Sequence, residues 1–307
     1  MSGTPLLNTG FVAIIGAILI WASQLLVAKA AYASIDPYTL TAVRYATALL
    51  FLVALLWLRE GPRAFSPGER PLLLCVAGVL GMAGSPLLVF VGILYTQPEH
   101  AVILLALQPS MTALAQWWLN GKRPPGFTLA AIGVAFCGVV LVVGSSAAGA
   151  PAGKLLGDVL VVSGAMAWIA YNLLQSKFAA LGTLRFTTLS CAAGTAMILL
   201  VTVLAHGLGA AHMPSGPELL AVTPHIAFLA VLGVVVAMLL WNHGSARVGP
   251  LNAILLLNLM PVVTYAIRVA QGARFTWQEW VGAGLVIAAL VANNLYQRHA
   301  SRVAVPQ

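Results

Sequence analysis

Apolar residues run along this chain in long blocks, and short polar clusters separate the blocks. A helix needs roughly 20 apolar residues to cross the hydrocarbon core of a bilayer. Ten segments meet that requirement: 9–29, 37–58, 71–94, 99–119, 126–146, 156–178, 184–206, 222–246, 250–271 and 277–297. The breaks carry helix-stopping residues: Asp36-Pro37, Gly61-Pro62, Ser66-Pro67-Gly68, Pro124-Pro125-Gly126, Gly149 to Gly153, and Pro214 to Pro217. The pattern predicts an all-α integral membrane protein with ten transmembrane helices and no room for a soluble domain.

Two of the ten spans are interrupted. The stretch AVILLALQPSMTALAQWW (Ala101 to Trp118) holds Gln108 and Pro109 at its centre, and AILLLNLMPVVTYAIRV (Ala253 to Val269) holds Asn258 and Pro261. Aligned on their prolines, both have Ala, Leu, Leu, Leu and Pro at 101/253, 104/256, 105/257, 107/259 and 109/261, an offset of 152. A second match joins GFVAIIGAILIWASQLL (Gly10 to Leu26) to GDVLVVSGAMAWIAYNLL (Gly157 to Leu174), with Gly10/Gly157 and Trp21/Trp168 offset by 147. The two offsets predict a duplicated five-helix unit, 1–147 and 148–307. Five crossings are odd, so the second copy enters the membrane the opposite way. Inverted repeats around a central cavity are an architecture of secondary transporters, and paired broken spans point to the substrate site.

Composition agrees with the pattern. Of 307 residues, 61% are hydrophobic and 7% charged; a soluble domain carries about 25% charged residues. The net charge of +8 comes from basic residues standing singly or in pairs, so no nucleic-acid partner is expected. The first apolar run, Phe11 to Ala28, lacks a preceding basic residue and is longer than a signal-peptide core, so it is expected to stay as a helix. Cys75, Cys137 and Cys191 lie singly within apolar runs and read as packing residues; no metal or cofactor is expected. With the N-terminus inside, ten Lys and Arg residues fall on the inner side, among them Arg59, Arg123, Lys177 and Arg247. Five fall outside: Lys29, Arg44, Lys154, Arg268 and Arg274. The bias predicts both termini on the cytoplasmic side of a bacterial plasma membrane.

Polar side chains at bilayer depth are costly and face the bundle interior. Trp168, Tyr171, Asn172 and Gln175 form one helical stripe in the sixth span. Trp21 and Gln24 form a shorter one in the first, where Gln24 is the repeat counterpart of Tyr171. Gln108 with Thr112 and Gln116, Asn258 with Tyr265 and Arg268, Ser85 and His243 complete the expected lining, and Pro86, Pro109 and Pro261 are the expected hinges. For Gln108 and Asn258, interhelical hydrogen bonding is an equal reading. Trp57, Trp117, Trp118, Trp277, Trp280 and Tyr296 lie at span ends and read as interfacial anchors. Lys29, Arg44 and Arg268 either snorkel to headgroups or form a positive vestibule. Thr187, Thr188, Ser190 and Thr195 read as helix-packing residues.

Ten spans in two halves, a Trp in the first helix of each half, and the P…GKRP…G…G pattern from Pro109 to Gly138 resemble the EamA-type drug/metabolite transporter superfamily. The likeness covers nearly the whole chain and is nearest to exporters of aromatic amino acids. One motif departs: Asn120 and Gln271-Gly272 stand where many members carry an acidic residue. The resemblance implies a basket of eight helices around a cavity, with the fifth and tenth outside, and export as the direction.

The lining offers rings, amides and hydroxyls but no mid-span carboxylate. It suits aromatic amino acids, which stack on Trp or Tyr, and equally purines, nucleosides or flat drugs. No carboxylate proton relay is expected. No catalytic constellation lies inside a span, so no enzyme is expected. A monomer is the simplest assembly.

Overall fold

Each predicted span becomes a helix because an isolated backbone in lipid must satisfy its own hydrogen bonds. The computed structural model describes residues 5–121, 123–145, 153–248, 256 and 259–303, and no strand occurs among them. The helices are α1 (Pro5–Ala31), α2 (Pro37–Glu60), α3 (Pro71–Tyr95), α4 (Pro98–Asn120), α5 (Gly126–Ser145), α6 (Lys154–Gln175) and α7 (Thr183–Gly207). Then follow α8, built from the consecutive segments Gly216–Ala227, Phe228–Val236 and Ala237–Val248, α9 (Leu259–Ala270) and α10 (Trp277–Val303). Among the described residues nine helices are long and apolar enough to cross a membrane, and α9 is a shorter apolar helix. Large side chains such as Leu50, Leu58, Trp118 and Val203 are exposed on them. The six aromatic residues expected as anchors are also exposed, Trp117 and Tyr296 less than the rest.

One boundary differs from the sequence pattern for a local reason. Helix α8 starts at Gly216, six residues before the predicted 222. Pro217 sits in its first turn, where a missing N–H costs nothing, and the Glu218 carboxylate accepts from the Ser215 N–H and hydroxyl at 2.7 Å each. The apolar count missed this polar first turn. Asn258, in the ninth span, lies outside the described residues.

The chain separates into two compact units. One gathers Met1–Ser23, Gln97–Lys154 and Leu240–Gln307; the other gathers Gln24–Thr96 and Leu155–Leu239. In the first unit α5 lies against α10 along much of its length. A Cβ added at Gly138 would stand 2.6 Å from the Gly282 carbonyl oxygen, and one at Gly282 would stand 2.5 Å from that of Gly138. Gly244 meets Gly10 and Ile14 in the same way, its added Cβ 2.8 Å from the Gly10 oxygen. Small residues let helix backbones touch, and packing of this kind drives helix association in lipid.

The second unit is built around Tyr45, Leu52, Met82, Tyr171, Phe186 and Ile198. Here an added Cβ at Gly92 would lie 2.8 Å from the Gly157 oxygen and 2.8 Å from Val161. Gly157 and Val161 are the repeat counterparts of Gly10 and Ile14, so the Gly10–Gly244 crossing recurs inside the second unit as Gly157–Gly92. Thr187, Thr188, Ser190 and Thr195 of α7 are all buried, and the Thr188 hydroxyl donates to the Leu184 carbonyl at 2.9 Å.

Helix α2 begins on a side-chain cap. Asp36 Oδ1 accepts from the N–H groups of Tyr38 at 2.8 Å and Thr39 at 2.9 Å. An Asp36→Ala protein is expected to lose about 1 kcal/mol of stability, read as a fall of a few degrees in the melting temperature of the detergent-solubilised chain. An unchanged melting temperature would remove the cap from the account.

Candidate functional site

The helices that carry the site depart from regular α geometry. In α3 the segment Val79–Gly84 is a π-helical turn, in which the Ser85 N–H reaches back to the Leu80 carbonyl. Pro86 follows directly and has no N–H to keep the regular ladder. In α8 the segment Phe228–Val236 is also π-helical, with the Ala237 N–H on the Leu232 carbonyl. The two π segments begin 149 positions apart, within the span of offsets found in the sequence. Such turns are rare and concentrate at functional positions.

Each π segment presents a glycine to a polar residue that the sequence singled out. An added Cβ at Gly81 would fall 2.2 Å from the Tyr171 ring, and one at Gly233 would fall 3.4 Å from Gln24 Oε1. Tyr171 and Gln24 are repeat counterparts, so one relation is built twice within the second unit. Tyr171 is buried, stacked on Trp168 at 5.1 Å and 27° and tilted against Phe186 at 5.4 Å. Asn172 is exposed and donates to the Trp168 carbonyl at 2.9 Å, while Gln175 is half-buried. Ser85 and Pro86 are buried beside the π turn of α3.

Arg44 and Lys29 of this unit turn to protein groups instead of headgroups. Arg44 is 3% exposed, and its guanidinium lies over the Phe90 ring at 4.1 Å and the Tyr45 ring at 5.0 Å. Its Nε and Nη1 have no hydrogen-bond acceptor. The Lys29 ammonium donates to the carbonyls of Ile93, Leu94 and Thr96, which closes the C-terminal end of α3. A cavity of about 520 Å³ opens at this end of the unit, lined among others by Tyr32, Asp36, Tyr38, Tyr95, His212 and Glu218. The Tyr32 hydroxyl donates to the Phe90 carbonyl at 2.6 Å.

In the first unit α4 breaks at Leu107 (φ −71°, ψ −8°) between the segments Pro98–Ala106 and Gln108–Asn120. Pro109 sits in the first turn of the second segment, which explains the break. Gln108 is half-buried, and its backbone carbonyl accepts the Thr112 hydroxyl at 2.7 Å; Gln116 is exposed. Trp21 lies 5.5 Å from Trp241. Tyr265 is buried among Phe275 at 4.5 Å and Trp280 at 5.8 Å, and its hydroxyl has no partner. Pro261 is buried, and Thr264 beside it donates to the Ala22 carbonyl at 2.9 Å. His243 is exposed and faces Arg247 one turn on.

The expected lining is therefore divided. Gln24, Ser85, Trp168, Tyr171, Asn172 and Gln175 belong to the second unit; Trp21, Gln108, His243 and Tyr265 belong to the first. Three features went unread in the sequence. Arg44 was taken for a headgroup or vestibule residue, although two helical turns inside a span is already deep for a cation. Gly81 carried no signal beyond its small size. Third, Glu99, His100, Arg268 and Glu279 form two neighbouring ion pairs in the first unit, His100–Glu279 at 3.0 Å and Arg268–Glu99 at 3.3 Å. Glu99 and His100 are buried, which helix-end positions did not foretell. Among the described residues no group of three or more His, Cys, Asp or Glu side chains is placed to hold a metal ion.

Comparison with known proteins follows the same lines. The chain is 29% identical over 284 residues to the Bacillus subtilis protein named uncharacterized transporter YrdR, covering 91% of this chain and 88% of that one. It is 25% identical over 291 residues to the Escherichia coli protein named uncharacterized inner membrane transporter YedA, covering 92% and 89%. One solved crystal structure matches with a TM-score of 0.66 at 22% identity, over 95% of this chain and 99% of the other, which shows a shared fold. The pattern of the EamA-like transporter family matches twice, at residues 8–144 and again at 155–295. With that double match and its apolar helices, the chain belongs to the EamA-like transporter family and is a multi-span membrane transporter of the drug/metabolite superfamily.

Proposed function

We propose that this chain exports small amphipathic metabolites, foremost aromatic and other hydrophobic amino acids, across the plasma membrane of a bacterium by alternating access. Two inverted five-helix copies, 1–147 and 148–307, with both termini cytoplasmic, are the architecture of this reading. The double family match and the recurring glycine crossings support the copies. The basic residues on one side support the orientation.

One observation carries the substrate class: the Trp168–Tyr171 stack, seated against Gly81 at a π turn inside a membrane helix. An aromatic pair without a charged neighbour on its own helix turn is a platform for a flat, partly apolar molecule. Purines and nucleosides present similar faces and are the competitors to test.

The experiment is uptake of labelled L-phenylalanine by proteoliposomes holding the full chain, with unlabelled L-tryptophan, L-leucine, adenosine and a planar cationic dye as competitors. Amino acids are expected to compete best. A Trp168→Ala protein is expected to lose about tenfold in uptake, the scale of one lost stacking contact together with its buried area. Competition by adenosine alone would replace amino acids with nucleosides as the cargo. Full uptake by Trp168→Ala would remove the ring platform from the proposal.

A further inference from the structure

We propose that Arg44 is the receptor for a substrate carboxylate, so that this transporter selects organic anions and zwitterions and rejects neutral or purely cationic analogues. The inference rests on the reading that the Trp168–Tyr171 stack receives the ring of the same substrate.

Arg44 is a cation held away from water at the meeting of three helices. Its own helix α2 contributes Tyr45, and α3 contributes Phe90, whose ring lies 4.1 Å from the guanidinium carbon. Cys191 of α7 and Tyr32 at the end of α1 are near enough for the charge to act on them. None of these groups is an anion at neutral pH. The ion pairs found among the described residues are His100–Glu279 and Arg268–Glu99, and Arg44 takes part in neither. Asp36, the carboxylate on the same helix, spends Oδ1 on the α2 cap. It precedes Arg44 by two turns, about 12 Å along the axis.

The guanidinium holds its N–H donors in one plane. Nε and Nη1 both lack acceptors there. Buried donors in lipid are costly unless paired, and planar N–H donors of this kind match a carboxylate best. The position also fits the ring site. Tyr45, which the guanidinium covers, belongs to the same packing cluster as Tyr171, with Trp168 packed against it. On the other side, Tyr32 and Val91 line the cavity of about 520 Å³ while Tyr32 is hydrogen-bonded to the Phe90 carbonyl. Arg44 therefore touches Phe90, whose carbonyl holds a residue that lines the opening, and Tyr45, which shares a packing cluster with the aromatic pair.

The test uses the full chain in detergent and labelled L-phenylalanine, displaced by L-phenylalanine, phenylacetate, L-phenylalaninamide, phenethylamine and lactate. L-Phenylalanine and phenylacetate are expected to displace the label at least tenfold better than the amide and the amine. Arg44→Gln is expected to erase that preference, and Arg44→Lys to keep part of it. Equal displacement by L-phenylalanine and its amide in the unaltered protein overturns the role of Arg44 and leaves the ring site standing. So does a carboxylate preference that persists in Arg44→Gln. If that variant does not fold, the probe series on the unaltered protein decides alone. Protection against heat by lactate in the unaltered protein that Arg44→Gln loses, with no effect of any aromatic probe, overturns the aromatic reading and keeps the carboxylate receptor. Binding of none of the five overturns both.

Discussion

A Gly138→Leu protein is expected to yield no monodisperse peak after detergent extraction, whereas Gly133→Leu is expected to purify and melt like the unaltered chain. Both glycines lie on α5, five residues apart. An added Cβ at Gly138 would meet the Gly282 carbonyl at 2.6 Å, the Val286 side chain at 2.9 Å and Leu285 at 3.1 Å; at Gly133 nothing lies within 4 Å. The nearest obstacle at Gly138 is backbone, which does not swing aside. Even alanine forces α5 and α10 apart, at a cost of about 1–3 kcal/mol for overpacking. Leucine adds three more carbons to a contact with no room for the first. The alanine cost alone is already a sizeable share of a total stability of roughly 5–15 kcal/mol, and leucine multiplies it. Gly284→Leu on α10 is the matching control, since nothing lies within 4 Å of its added Cβ. Equal melting curves for Gly138→Leu and Gly133→Leu would show that α5 and α10 do not touch through these glycines.

The second large effect concerns transport. A Gly81→Ala protein is expected to lose most of its uptake while a Gly81→Ala/Tyr171→Ala protein folds better than Gly81→Ala alone. The methyl group would fall 2.2 Å from Tyr171 Cγ and 2.5 Å from its Cβ. Those atoms lie at the root of the side chain, so the ring cannot evade by a rotamer change. It must leave its place between Trp168 and Phe186. Tyr171→Ala alone opens a void where an aromatic ring stood, at about 3–5 kcal/mol. In the double variant the alanine methyl at position 81 enters space that the ring has vacated. The two stability losses are therefore expected to sum to more than the double loss by about 1 kcal/mol or more. Strict additivity in thermal melts would sink the claim that Gly81 seats Tyr171. Gly233→Ala is the mild counterpart, because its added Cβ meets the Gln24 amide oxygen at 3.4 Å and the Phe228 carbonyl oxygen at 3.6 Å, both near ordinary contact.

Much of this molecule was open to a linear reading. The apolar blocks marked where helices run, and Asp36-Pro37 marked where α2 starts. Pro109 announced the break of α4 because a proline removes one backbone donor wherever the chain goes. The stripe Trp168–Tyr171 was legible because helical spacing alone puts residues three apart on one face. Ser85 and Tyr265 were singled out as polar groups at depth, and both are buried. His243 was singled out on the same ground, yet it is exposed beside Arg247, because its helix turns that face away from its neighbours.

What the chain order by itself determined, then, is the set of helices, their breaks and the doubling of the pattern, since those follow from solvent cost and backbone chemistry within a few residues. The tertiary structure decided which glycines become crossings, that Gly138 is crowded and Gly133 free, that two π turns answer each other, and that Arg44 lies under Phe90 instead of reaching for headgroups. Those outcomes depend on which helix faces arrive at the same place from distant parts of the chain, and no periodicity within one helix encodes its neighbour.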